Sequence, residues 1–242
     1  MHDQLAENKR RSLVLTAAFV LVVGTVVAAV LVLLGLGLVG VLVAAVVAGG
    51  AALAAWWRSD QVALRLSRAQ EADPVTYARL HNLVEGLCIA SGLPKPRIHV
   101  IDDVAPNAFA TGRSPQHAAL AVTTGLLDQL NRVELEGVLA HELSHIKNAD
   151  IVVATLAVTM VGLVTPQLVP YAVGGRREPL ADASAVEMTR YPPGLISALE
   201  KLRDDTRAVA VSPRATAHLW IEAPGASADP PIEERIAALR EL

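Results

Sequence analysis

The chain of 242 residues is 52% hydrophobic and 19% charged, with a mean hydropathy of +0.41, which is too apolar for an ordinary soluble domain. A formal net charge of −3 and an aromatic content of 3% leave no basic, aromatic-interleaved stripe, so nucleic acid is not an expected partner. Cys88 is the single cysteine, which excludes an internal disulfide framework and suits a reducing compartment.

The apolar excess is concentrated in residues 13 to 57, a run without a charged side chain. It is far longer than the roughly 7–15-residue apolar core of a signal peptide and fits two membrane crossings of about 20 residues each. The expected transmembrane helices cover about 13–34 and 38–57, joined by a turn at Gly35-Leu36-Gly37. Lys9, Arg10 and Arg11 precede the first span, and Arg58, Arg65 and Arg68 follow the second. The positive-inside rule then places both ends in the cytoplasm, so the expectation is a multi-pass protein of the cytoplasmic membrane whose remaining chain faces the cytoplasm. Trp56 and Trp57 stand where an aromatic belt meets the headgroups, although adjacent tryptophans also pack against domains. The division is therefore a membrane anchor, 1–59, and one compact domain, 60–242.

Beyond the anchor, residues 60 to 72 carry Val62, Leu64, Leu66 and Ala69 among arginines and read as an amphipathic helix along the membrane surface. Asp73-Pro74 starts a second helix with Leu80, Leu83, Val84 and Leu87 at helical spacing, ended by Ser91-Gly92. Between Pro94 and Thr124, short apolar stretches at 98–101, 107–111 and 118–123 alternate with turn residues and predict a small antiparallel sheet. Asn131 and Glu134 form a capping-box signal, and Val133, Leu135, Val138, Leu139, Leu143 and Ile146 continue that helix to about Lys147. The expected fold class is α+β: a transmembrane helical hairpin, then a mainly helical domain with a small sheet.

That helix contains His141-Glu142-Leu143-Ser144-His145, the HExxH pattern. It sets two imidazoles one turn apart on one face, able to share a zinc ion, with Glu142 placed to act on the metal's water as general base and acid. The bland alternative, two solvated surface histidines, fits poorly with a capped amphipathic helix. Zinc in hydrolases takes three protein ligands, and Glu178 is the candidate third. Pro179 behind it suits a first helical turn, and Asp182, four residues on, is placed to accept the free N–H of a ligand imidazole. Spacing alone leaves Glu178 equally readable as an ordinary acidic helix start.

Six blocks extend the pattern: Pro106-Asn107-Ala108-Phe109-Ala110-Thr111-Gly112, Val122-Thr123-Thr124-Gly125-Leu126-Leu127, His141 through Asn148-Ala149-Asp150, Glu178 through Asp182, His218-Leu219-Trp220-Ile221, and Pro230-Pro231-Ile232-Glu233-Glu234-Arg235-Ile236. With them the chain resembles the HtpX-type membrane metallopeptidases, zincin-like gluzincins of the wider group that includes CAAX-processing proteases. The resemblance implies one zinc ion per chain held by His141, His145 and Glu178, and a supporting role for Asp182. It also implies an edge strand at Asn107, Ala108, Phe109 and Ala110 that pairs with an extended substrate. His218 and Arg235 become candidates for stabilising an oxyanion, each with a bland reading as a packed histidine or a surface arginine. Implied substrates are peptides and unfolded or misassembled membrane proteins. Relatives commonly carry His-Pro-Pro where this chain has Asp229-Pro230-Pro231, and membrane relatives typically place two further spans before the third ligand. A non-catalytic membrane scaffold or chaperone-like module keeping the same fold is the rival reading.

Residues 151 to 173 are apolar enough for a third span, but a single crossing would separate Glu178 from His141 and His145. The expectation is a buried or membrane-dipping continuation of the histidine helix, turned back by Pro166, Pro170 and Gly174-Gly175. A fragment starting near Asp60 is accordingly expected to fold and retain zinc, with help from mild detergent.

Overall fold

The computed structural model describes residues 2–162, 169, 173, 177–207, 209–210, 216–222 and 230–242. Helices α1 (His2–Leu33) and α2 (Gly37–Leu66) form the expected hairpin, reversing where Gly35 and Gly37 adopt φ of +87° and +49°. Gly40, Ala44, Ala48 and Ala52 are buried at every fourth position of α2 and form the seam against α1. Small residues there let the backbones close, and a Cβ on Gly40 would stand 2.9 Å from that of Leu31. On the outer faces Leu13, Leu21, Leu33, Leu38, Val46 and Leu53 are 63–87% exposed, a continuous apolar surface that suits lipid and not water.

The second helix does not stop at the expected domain boundary. It runs unbroken through residues 59 and 60 to Leu66, and no separate surface helix over 60–72 forms. The reason is burial: Ser59, Asp60, Ala63 and Leu64 face the rest of the chain, not solvent. Asp60 pairs with Arg97 and lies 3.8 Å from Arg113, whose guanidinium sits 4.8 Å from the Trp57 ring centroid and donates to the Trp57 carbonyl at 3.1 Å. Trp56 is half-buried while Trp57 is exposed, so the pair serves both packing and the outer surface.

A four-stranded sheet follows in the order β1 (Gln70–Glu71), β2 (Arg97–Ile101), β4 (Ala118–Thr123), β3 (Ala108–Gly112). The expected antiparallel pairing holds for β1 with β2 and for β3 with β4, while β2 and β4 run parallel, Ile98 opposite Leu120. Helix α3 (Ala78–Ser91) lies between β1 and β2 in sequence and ends on Gly92 in the left-handed conformation, as its sequence requires. Both sheet faces are covered. Ile98, Val100, Leu120 and Val122 join the core under α3 and α5, and Ile101, Phe109, Ala119 and Ala121 pack with Ala63 and Leu64 of α2. The end of the anchor is thus one layer of the domain, which is why β3 and β4 are buried at every position.

After the short α4 (Thr124–Gln129), α5 (Arg132–Lys147) runs through the centre of the domain. Its capping box is complete: Asn131 accepts from Val133 and Glu134 N–H, and Glu134 accepts from Asn131 N–H at 2.8 Å. The same carboxylate takes Lys201 at 2.7 Å and Ser197 at 2.7 Å, tying α5 to a later helix, α8 (Pro192–Asp204). Gly137 allows the close crossing, since a Cβ there would meet the Leu195 nitrogen at 2.7 Å. Helices α6 (Asp150–Ala157), α7 (Arg177–Thr189) and α9 (Ile232–Leu239) complete the domain, and a π-helical turn, Val158–Gly162, extends α6. Pro166, Pro170 and Gly174-Gly175, expected to turn the chain, lie outside the described residues, as does Asp229.

Candidate metal centre

Helix α5 presents His141 and His145 on one face, fully buried or nearly so, with Nε2 atoms 3.2 Å apart. Glu178, in the first turn of α7, meets both: Oε2 is 3.2 Å from His141 Nε2 and Oε1 is 3.5 Å from His145 Nε2. One ligand atom from each residue lies within 4.8 Å of the others. Glu178, 37 residues after His141, is thus brought back beside both histidines.

Each imidazole is held from behind by a carboxylate. His141 Nδ1 lies 2.8 Å from Asp182 Oδ1, a charge contact without hydrogen-bond alignment. His145 Nδ1 lies 3.0 Å and 3.1 Å from the two oxygens of Asp150, at the start of α6. The sequence places Asp150 at the end of the block that carries the family resemblance but assigns it no role. With Nδ1 of each ring facing a carboxylate, the neutral tautomer carries its proton there, and the bare Nε2 lone pairs point at each other and at Glu178. Three acceptors thus converge on one point, a set that could hold a metal ion.

The surrounding groups are strongly charged. Glu142, Asp150, Glu178 and Asp182 are all buried. Two guanidiniums answer them: Arg177 Nε is 2.9 Å from Glu178, and Arg235 binds Asp182 through Nε and Nη2 at 2.8 Å each. A divalent ion that takes nitrogen and carboxylate ligands, such as zinc, suits this donor set. Without one, burial would lower the pKa of His141, yet Asp182 and Glu178 outweigh that and raise it to about 9. Burial would likewise raise the Glu178 carboxyl, but the charges of His145 and Arg235 hold it well below the usual range. Glu142 differs. Among the described residues neither of its oxygens has a hydrogen-bond partner, and burial pushes its pKa up, only partly offset by the two histidines. A buried carboxylate with raised pKa and free lone pairs is fitted to exchange a proton.

The other expected site residues are placed differently. Arg235 donates to Asp182 and, at 2.9 Å, to the Ile221 carbonyl, and its Nη1 is 3.3 Å from Glu178. These contacts tie it to Asp182 and Glu178. His218 is bound through Nε2 to the Ala154 carbonyl at 3.0 Å. A carbonyl only accepts, so Nε2 carries the proton; burial, then nearby Arg177, lowers the pKa to about 3, leaving Nδ1 a bare acceptor with nothing to donate. Strand β3 is at the sheet edge as expected, but that edge is occupied. Ile221 N–H donates to Ala108 at 3.0 Å, Asn107 Nδ2 donates to Glu222 at 2.8 Å, and Phe109 bridges Trp220 with ring centroids 4.8 Å apart. Ala110 is buried beside them.

Residues 74–242 match the model of "Peptidase family M48". Among curated proteins, the chain is 36% identical to a "Protease HtpX homolog" of Dictyoglomus turgidum, covering 100% of this chain and 94% of that protein. It is 35% identical to the namesake from Thermoanaerobacter pseudethanolicus and 36% identical to that of Tropheryma whipplei, covering all of this chain and 98% of each relative. With the HExxH helix, the returning glutamate and two apolar N-terminal helices in place, this chain belongs to peptidase family M48.

Proposed function

We propose that the protein is a zinc-dependent endopeptidase anchored in the cytoplasmic membrane by α1 and α2, with its catalytic domain on the cytoplasmic side. The observation that carries this reading is the convergence of His141 Nε2, His145 Nε2 and Glu178 on one point, each backed by a buried group that fixes its orientation. Zinc held there supplies a Lewis acid that polarises a peptide carbonyl and lowers the pKa of a water molecule. Glu142 accepts the proton of the attacking water and returns it to the departing amine. Asp182 and Asp150 keep both imidazoles in the tautomer that leaves Nε2 free, and Arg235 keeps Asp182 in place. The clustering of the basic residues 9–11 and 58, 65 and 68 at the same ends of the two helices supports the orientation.

Peptide substrates, including unfolded or misassembled membrane proteins, and a role in membrane protein quality control follow from the family resemblance. An extended substrate pairing with residues 107–110 requires residues 220–222 to move from that edge. The test is Glu142→Gln: cleavage of an unfolded model protein should vanish while about one zinc per chain remains bound, because the residue acts on water and is not a ligand. Loss of zinc together with activity would refute the assignment.

A further inference from the structure

The continuation of the histidine helix packs against the anchor at a level well inside the apolar spans. Leu156 and Met160 share one buried cluster with Ala52 of α2, flanked by Leu15, Phe19 and Val20 of α1 and by Ala55 and Trp56 of α2. Phe19 stands six residues past Leu13, and Ala52 five before Trp57, the ends of the charge-free run nearest the metal centre. At about 1.5 Å per helical residue, the contact lies roughly 8–9 Å inside the apolar boundary, past the middle of a leaflet core of about 15 Å.

We propose that residues 156–162 form a re-entrant element in the leaflet nearest the metal centre, with the half-buried Thr159 against lipid acyl chains. This rests on the reading of α1 and α2 as a membrane anchor. The chemistry of the segment suits hydrocarbon. No charged residue stands between Asp150 and Arg176. The Thr159 hydroxyl bonds back to the Leu156 carbonyl at 3.2 Å, and Thr155 is satisfied by Thr111 and Gly112 at 2.9 Å and 3.0 Å. Backbone groups within α6 and the π-helical turn bond inside the helix, the form in which a chain enters lipid at low cost. Because Glu178 returns to His141 and His145, the segment enters and leaves by the same face. The outward faces of α1 and α2 near this depth, such as Ala18 and Leu53, are themselves exposed and apolar.

The experiment uses the full chain in vesicles, in a Cys88→Ala background, with a fluorophore on single cysteines. Thr159→Cys and Val152→Cys probe the segment, Val22→Cys marks the mid-bilayer and Glu187→Cys the aqueous domain. Lipids carrying nitroxides at shallow or deep acyl positions quench each label. The Thr159 label should be quenched several-fold more than the Glu187 label, with a shallow-to-deep quenching ratio between that of Val152, which favours shallow nitroxides, and that of Val22, which favours deep ones. Quenching at Thr159 no greater than at Glu187 overturns the proposal, as does a deep-nitroxide preference matching Val22, which would indicate a crossing. Failure of Val22 itself to be quenched would overturn the membrane anchor as well, whereas the Glu142→Gln result reads the peptidase assignment independently.

Discussion

His145 depends on a carboxylate that lies beyond the end of its own helix. Asp150 takes its Nδ1 at 3.0 Å, as Asp182 approaches that of His141, so each nitrogen ligand has its own acid. Replacing such a partner typically weakens metal binding about 10–100-fold. Asp150→Asn should therefore lose zinc to a competing chelator about 10–100-fold more readily, with the fold retained; unchanged affinity would remove Asp150 from the centre. A second single-residue effect lies away from the metal. Burial, with Asp205 nearby, raises the Glu222 carboxyl from 4.5 to about 7. The folded chain then binds more protons than the unfolded one between these values, so this residue's contribution to stability is full below pH 4.5 and is lost as pH rises through about 7. Glu222→Gln should flatten the fall in melting temperature between pH 5 and 7.5 in detergent solution, and an unaltered profile would contradict this burial.

At the scale of elements, α5 was legible because everything that defines it is local. The Asn131–Glu134 capping box, the apolar spacing and the two histidines all fall within one stretch, and the helix begins at Arg132 as they require. The length of α2 was not legible, because Asp60 reads as a solvated charge until Arg97 and Arg113 are brought to it from the sheet. Helix α1 shows a similar long-range dependence. Asn8 donates to the Asn148 carbonyl at 3.1 Å and Arg11 to that of Val173 at 3.1 Å, so its first turns hold both ends of the connection between the histidine helix and Glu178. Each such hydrogen bond contributes about 1 kcal/mol, and the double variant Asn8→Ala, Arg11→Gln should release zinc roughly three- to tenfold faster without loss of membrane insertion. Equal release rates would show that α1 only anchors.

For the whole molecule, the anchor and the domain are not separable along residue 59 or 60. Ala63 and Leu64 cover one face of the sheet, and Ala52 with Phe19 covers α6. A fragment of residues 60–242 keeps the first contact and loses the second. It should fold around α5 and the sheet in mild detergent, aggregate without detergent, and hold zinc more weakly than the full chain. Equilibrium zinc titration and light scattering on the fragment measure both; a monodisperse fragment in plain buffer would mean that the α6 face is not covered by the anchor.

By itself the sequence determined the apolar hairpin, the histidine helix and the place of Glu142 beside its histidines. Those features are encoded by composition, periodicity and capping within a few turns of chain, where the residues that interact are also neighbours in sequence. Tertiary structure alone decided that Glu178 is beside the histidines and not merely an acidic helix start, that Asp150 backs His145, and that Arg235 holds Asp182 across 53 residues of sequence. It also decided that residues 220–222 occupy the edge of β3. Each of these pairs is joined by charge or hydrogen bonding between segments whose approach depends on how separate helices and strands pack, and no local pattern encodes that approach.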